Sequence, residues 1–338
     1  MDYLRLMARS VKYLVFQRPS GPEAVLKNFY YLLNGGFTSE QVAIFNLNTT
    51  NKTDYLSEFD WIKYRSNLSD ISALNLDDKV RFSRTVSPYE RVPEILFVHY
   101  KDSYGKEKNG SIVSQIKSII KDNLTCIVKP IKKGQGKGVH KLDFREGVIL
   151  LDDEEICEKN LISLLNKLGD WIITEYIEQD GYAHEVFPKT LNTIRLISIK
   201  KGNEYEVDFA VHRFGRKNTG CVDNASQGGL VSKINIETGE LSDLRSIKKS
   251  CSYKCHPDTG VKVKSKVVPG WKGIKLRIEE LSKLFPQNNL IAWDIAVVGD
   301  EIVIVEGNAT TGINILQLWE GQKNTAIGKE IIMRGFVD

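Results

Sequence analysis

No apolar run in the 338 residues approaches the ~20 needed to cross a bilayer, so a membrane-spanning segment is not expected. The start of the chain does not read as a secretion signal, and the five cysteines are few and odd in number. A reduced, cytoplasmic setting is therefore expected rather than a disulfide scaffold. Zinc would want two short-spaced ligand pairs, but Cys251, Cys255 and His256 form one cluster without a second. Histidine is scarce too, at five residues, and no Ser-His-Asp or Cys-His arrangement calls for nucleophilic catalysis. Net charge is only +4, from 47 basic and 43 acidic residues that are interspersed, so charge alone does not call for a nucleic-acid or membrane partner. Internal repeats and low-complexity tracts are absent, as is the phosphate loop G-x-x-x-x-G-K-[ST].

What remains is an ordinary soluble composition, long enough for one large domain or a few modest ones. The first residues, "MDYLRLMARSVKYLVF", predict an amphipathic helix with Arg5, Arg9 and Lys12 on one face and Leu4, Met7, Val11 and Val15 opposite. Such a helix could make a weak contact with a membrane surface or a partner, although packing on its own protein is its usual use. Residues 1–75 read as mostly helical, with Thr38 or Ser39 as an N-cap followed by Gln41.

From about residue 76 short β-type runs take over: 94–100, 125–131, 138–144, 147–151 and 171–177, then 193–201, 205–215, 230–236, 291–299 and 301–308. Helical periods occur at 153–169 and 273–285. Strands that follow one another without helices pair antiparallel, so the class is α+β and not a doubly wound parallel fold.

Two stretches carry chemistry. "CIVKPIKKGQGKGVHKL" (126–142) places Gly134, Gly136 and Gly138 in a hairpin turn, where they permit positive φ and a bare backbone that can cover phosphates. Lys129 precedes them in mid-strand, where a charge is costly unless something negative meets it. Lys132, Lys133 and Lys137 could steer an anion in, and the alternative is a plain hairpin with solvent-facing lysines. "WDIAVVGDEIVIVEGN" (293–308) predicts a second hairpin in which paired residue numbers sum to about 600, setting Asp294 opposite Glu306, with Asn308 on the Glu306 face. Two carboxylates and an amide oxygen suit magnesium, a hard cation; the alternative is carboxylates met by arginine or backbone amides.

Taken together, "DDKVRF" (77–82), the glycine hairpin, a later "TEY", "NTIRLISI" (192–199), "VDNASQGGL" (222–230), "HPDTG" (256–260) and the closing D…E-x-N pair resemble the ATP-grasp superfamily. More narrowly they resemble its sugar-transfer-associated group, over roughly residues 76–318. The resemblance implies two α+β subdomains gripping ATP: a lid subdomain at 76–175 and a metal-bearing one at 176–338, preceded by the helical region 1–75. It implies Lys79 and Lys129 on the α- and β-phosphates, and Gly134, Gln135, Gly136 and Gly138 as a phosphate lid. Glu175, Tyr176, Ile177 and Glu178 would line the adenine hinge, and Asp294, Glu306 and Asn308 would hold one or two magnesium ions. Arg195, Arg213 and Asn224 would act at the transferred phosphoryl group, with Gln227, Gly228 and Gly229 in a substrate loop. One departure is "QDGYAHE" (179–185), where the group often has a His-Pro pair.

The activity implied is an ATP- and magnesium-dependent carboxylate–amine ligase working through an acyl phosphate, in polysaccharide or sugar-conjugate biosynthesis. Its substrates would be small carboxylates and amines, sugar-linked or not, with no nucleic acid. Two alternatives stay open. One is a kinase acting on a sugar or other hydroxyl, with Asp208 or Asp223 as base; the other is a non-catalytic nucleotide-binding module.

Overall fold

The computed structural model describes residues 22–335 apart from 69, 102–113, 119–124, 135, 146 and 249–250, together with Leu4, Met7, Ala8 and Val11. The expected amphipathic N-terminal helix lies mostly outside the described residues, as does Gln135.

Helices dominate the first part of the chain: α1 (Pro22–Gly35), α2 (Ser39–Ile44), α3 (Glu58–Ser66), α4 (Asp70–Asp77) and α5 (Lys79–Val86). Thr38 caps α2 in a reciprocal capping box with Gln41, as the spacing predicts. The helical stretch runs to Val86, ten residues past the change of texture at 76. Asp78 stops α4 and restarts the chain as α5, because its carboxylate accepts from the Val80 and Arg81 amides.

Two antiparallel sheets follow, giving an α+β fold. The smaller is ordered β1-β6-β2-β3-β4-β5, with β1 Ile95–His99, β2 Thr125–Pro130, β3 His140–Arg145, β4 Val148–Leu151, β5 Glu154–Glu155 and β6 Trp171–Glu175. Alternation decides its two faces. Cys126, Val128, Leu142 and Ile173 point into a core closed by Leu161, Leu165 and Leu168 of helix α6 (Glu158–Leu168). Lys129 points to the opposite face. α6 starts later than the run 153–169 suggests, because Asp152 and Asp153 take positive φ in the turn between β4 and β5. Pro130 ends β2, whose pairing with β3 stops at Val128 while its pairing with β6 runs on to Pro130.

The larger sheet is ordered β11-β10-β9-β8-β7-β12-β13. Its strands are β7 Ile194–Lys201, β8 Glu204–Phe214, β9 Leu230–Ile234, β10 Leu241–Arg245, β11 Ser252–Tyr253, β12 Leu290–Val298 and β13 Glu301–Asn308. The short helix α7 (Gly181–Val186) precedes β7. One face buries Leu196, Phe214, Trp293 and Ile304 against helix α8 (Trp271–Ser282) and Phe82 of α5. The other face carries Ile197, Val211, Leu290 and Ala292, covered by Tyr64, by Ile313 of α9 (Ile313–Leu316) and by Ile327 and Ile331 of α10 (Ala326–Gly335). Along that second face the apolar rows give way to Arg195, Arg213, Asp294 and Glu306. Among the described residues no helix is long and apolar enough to cross a membrane.

Candidate functional site

The β12–β13 hairpin pairs Asp294 with Glu306 and Ala292 with Asn308, so the sum of 600 holds up to a bulge after Asp294. Beyond the bulge Ile295 meets Ile304. On the other side of β12, Asp294 pairs with Arg195 of β7. This places the Arg195 guanidinium as a fork on the carboxylate, Nε donating to Oδ1 at 2.7 Å and Nη2 to Oδ2 at 2.6 Å. Arg213 Nη2 lies 3.0 Å from the same Oδ2. Burial pushes the Asp294 carboxyl up, but Arg195 and Arg213 outweigh it and hold the group at about 2. Burial would lower the Arg213 guanidinium, and the carboxylates of Asp223, Asp294 and Glu306 raise it instead.

Glu306 faces the cleft between the sheets. Lys79, the first residue of α5, sets its ammonium 3.8 Å from Glu306 Oε2 and donates to Lys133 O at 2.9 Å. Asn308 Nδ2 lies 3.4 Å from Glu306 Oε1. Lys129 enters from β2 and is buried. Burial pulls its ammonium down to about 8, the nearby Lys79 charge adds to that, and Glu306 opposes it. A crevice of about 10 Å³, room for about one water, lies among Lys79, Phe82, Lys129, Ile172, Thr174 and Ile304. Two ammoniums from two elements thus approach one carboxylate, with the Asp77 carboxylate also near the Lys79 charge.

The donor set Asp294, Glu306 and Asn308 is all oxygen and suits a hard divalent cation. Asp294 Oδ2 already meets both guanidinium groups, at 2.6 and 3.0 Å, and Oδ1 meets one at 2.7 Å, so Oδ1 keeps a lone pair for such an ion beside the oxygens of Glu306 and Asn308, and the set fits. Among the described residues no group of three His, Cys, Asp or Glu could hold a metal; the set here is two carboxylates and an amide. Cys251, Cys255 and His256 do not assemble into a site either: His256 is buried and bonds Gly215 O, while Cys251 Sγ lies 3.0 Å from the Tyr253 hydroxyl. "HPDTG" braces the end of β8, with Asp258 forked by Arg216 at 3.0 and 2.7 Å and held by that bond at about 2.

Of the glycines, Gly136 and Gly138 take positive φ in the β2–β3 turn, and a Cβ at Gly134 would meet nothing. Glu175 ends β6 and Ile177 is buried, whereas Glu178 is exposed. The Glu175 N–H donates to Glu94 O at 2.9 Å, so that donor is spent inside the fold. Tyr176 lies under the Lys141 ammonium at 5.9 Å, and burial pushes its phenol up. Asn224 spends its side-chain oxygen on Ser226, accepting from N and Oγ at 2.9 Å each, and its carbonyl accepts from Gln227 and Gly229. Gly228 completes that turn in the left-handed region.

Two neighbours of the site differ from the expectation: Lys141 was not foreseen, and Asp223, expected only as a kinase base, is an arginine partner. Lys141 pairs with Ile127 and so shares the Lys129 face of the small sheet, beside Asp143 at 3.3 Å and Asp153 at 2.8 Å. Continuing the period of two through the hairpin would have found it. Asp223 accepts from Thr193 N and Oγ1 at 2.7 and 2.6 Å and lies 3.5 Å from Arg213 Nε, a contact between β8 and an irregular loop that no period announces. Asp208 lies elsewhere, on a cavity of about 420 Å³ with Lys233, Glu237 and Glu320.

No curated protein matches the chain. Among solved structures it is similar to an L-amino acid ligase from Bacillus licheniformis, with 9% identity, TM-score 0.42, and 77% of this chain and 47% of that one covered. It is also similar to a D-alanine-D-alanine ligase from Helicobacter pylori, with 14% identity, TM-score 0.44, and 77% and 61% covered. The chain thus spans about half to three fifths of these proteins, and scores this low carry no inference about its chemistry. The sugar-transfer associated ATP-grasp family matches residues 63–329, most of the length, and the chain belongs to that family with its ATP-grasp fold.

Proposed function

We propose that the cleft between the two sheets binds ATP with magnesium and joins a carboxylate to an amine. The observation that carries this reading is the meeting of Lys79 and Lys129 with Glu306, beside the Arg195–Asp294–Arg213 cluster. Two ammoniums suit the inner phosphates, and the guanidiniums suit charge spread over a phosphoryl group in flight. Asp294, Glu306 and Asn308 would hold the cation, which when bound would neutralise phosphate oxygens. The γ-phosphoryl passes from ATP to a carboxylate oxygen, giving ADP and an acyl phosphate. An amine then attacks the acyl carbon, phosphate leaves, and a proton is released as the amide forms. These steps need position and charge from the protein, not a nucleophilic side chain.

The family's association with sugar transfer favours sugar-linked carboxylates or amines as substrates, in polysaccharide or sugar-conjugate synthesis. A kinase would want an aspartate base at the phosphoryl group. Asp223 is committed to Thr193 and Arg213, and Asp208 lines a separate cavity, which favours the ligase. The test is a screen of carboxylates paired with amines, following ADP, free phosphate and product mass. ADP with phosphate and an amide supports the ligase; ADP and a phosphorylated product without free phosphate would replace it with a kinase.

A further inference from the structure

The Arg195–Asp294–Arg213 cluster does not stand alone. Arg213 is gripped from its other side, where Nε donates to Thr193 Oγ1 at 2.9 Å and lies 3.5 Å from Asp223 Oδ2. That same Oδ2 accepts from the Thr193 amide and hydroxyl. All four residues, Thr193, Arg213, Asp223 and Asp294, are buried. A guanidinium between two carboxylates and a bridging hydroxyl keeps one orientation, because turning it would strand buried charge.

Asp223 belongs to the loop 222–229, whose backbone is tightly closed. A Cβ at Gly229 would come within 2.3 Å of Asp223 O, and Asn224 O accepts from the Gln227 and Gly229 amides. Near this loop lies the glycine turn of the small sheet. A Cβ at Gly136 would sit 3.5 Å from Val222 Cγ2, 3.6 Å from Asn224 Cβ and 3.0 Å from Gln227 Nε2. Val222 and Asn224 are the two chain neighbours of Asp223, so the turn lies near the residue that holds Arg213, with room for about a methyl group between.

We propose that Asp223 is a positioning residue for phosphoryl transfer, holding Arg213 against Asp294. The proposal rests on the ATP reading above. Asp223 itself touches Thr193 and Arg213 rather than the reacting atoms, so its effect belongs to the transition state and not to ground-state nucleotide binding.

The experiment compares two ligands by titration calorimetry, MgATP and MgADP with aluminium fluoride, the second a planar mimic of the phosphoryl group in transfer. Asp223→Asn should bind MgATP within about twofold of wild type and the fluoride complex about 10- to 100-fold more weakly, the range typical of outer partners that orient a functional group. Thr193→Val, which keeps both charges and removes the bridging hydroxyl, should show the same split and decides the matter if Asp223→Asn fails to fold. Equal losses for both ligands, or an unchanged fluoride complex, would overturn the positioning role. Wild type that binds no MgATP would refute the ATP reading itself, a result visible before any variant is made, and the proposal would fall with it.

Discussion

Lys79 Nζ lies 3.8 Å from Glu306 Oε2, tying the first turn of α5 to the last strand of the large sheet. Glu306 also raises the Lys129 ammonium from the opposite sheet, so one carboxylate serves two lysines. Its replacement by glutamine keeps the shape and removes the charge that both lysines and a cation would share. Glu306→Gln should lower magnesium-dependent ADP release by about 100-fold or more, the scale seen when a preorganised charge is removed from a reaction site. Magnesium titration of the rate is the measurement, and an unchanged magnesium dependence would move the cation elsewhere.

Lys129 links pH to both stability and binding. Its folded value of about 8 lies below the ordinary 10.5, so between those values the unfolded chain holds a proton that the folded one has released. Stability from this group therefore rises with pH from 8 to 10.5, and below 8 the buried charge costs on the order of 3 kcal/mol. Lys129→Met should stabilise the free protein at pH 7 in urea unfolding, and the advantage should shrink by pH 10. The same variant should bind ATP at least about tenfold more weakly, since a charge-assisted contact to phosphate is lost. In wild type, ATP affinity should fall as pH rises through 8. A flat profile would take Lys129 out of the nucleotide site.

Local rules carried the elements that pair with their own neighbours. In 293–308, alternation and a two-residue turn set Asp294 against Glu306, and only the bulge after Asp294 escaped. The fork of Arg195 on Asp294 depends on β7 lying beside β12, a pairing across nearly a hundred residues that no local period encodes. The Asp223–Arg213 contact spans few residues but joins a strand to an irregular loop, which neither a strand nor a helix period describes. The early start expected for α6 has a local cause: Asp153, the first residue of the run 153–169, takes positive φ in a turn, and Glu154 and Glu155 pair with β4. β10 went unseen because its pairing with β9 shifts register between Leu241 and Leu244.

Asp294 gives an acid-side prediction. Its folded value near 2 lies below the ordinary 3.8, so its stabilisation is complete above 3.8 and fades as pH falls through 2. Asp294→Ala strands two buried guanidiniums and should cost about 3–5 kcal/mol at pH 7. Urea unfolding should show that deficit narrowing at pH 2. A deficit independent of pH would mean that lost packing, not charge, explains it.

The glycines of the β2–β3 turn separate a folding role from a ligand role. Gly138 has φ +75°, and a Cβ there would come within 2.7 Å of Leu168 Cδ2 in the core of the small sheet. Gly138→Ala combines left-handed strain with a clash and should cost about 1–3 kcal/mol. Gly134 has neither problem, since a Cβ would meet nothing within 4 Å. Gly134→Ala should unfold within about 0.5 kcal/mol of wild type, as an unstrained surface change does. If the backbone at Gly134 must approach a phosphate, the same variant should bind MgATP several-fold more weakly with its stability intact. Paired thermal unfolding and ATP titration of the two variants distinguish the roles. Unchanged ATP affinity in Gly134→Ala would leave the turn a structural hairpin at that position, with the lysines alone to meet the phosphates.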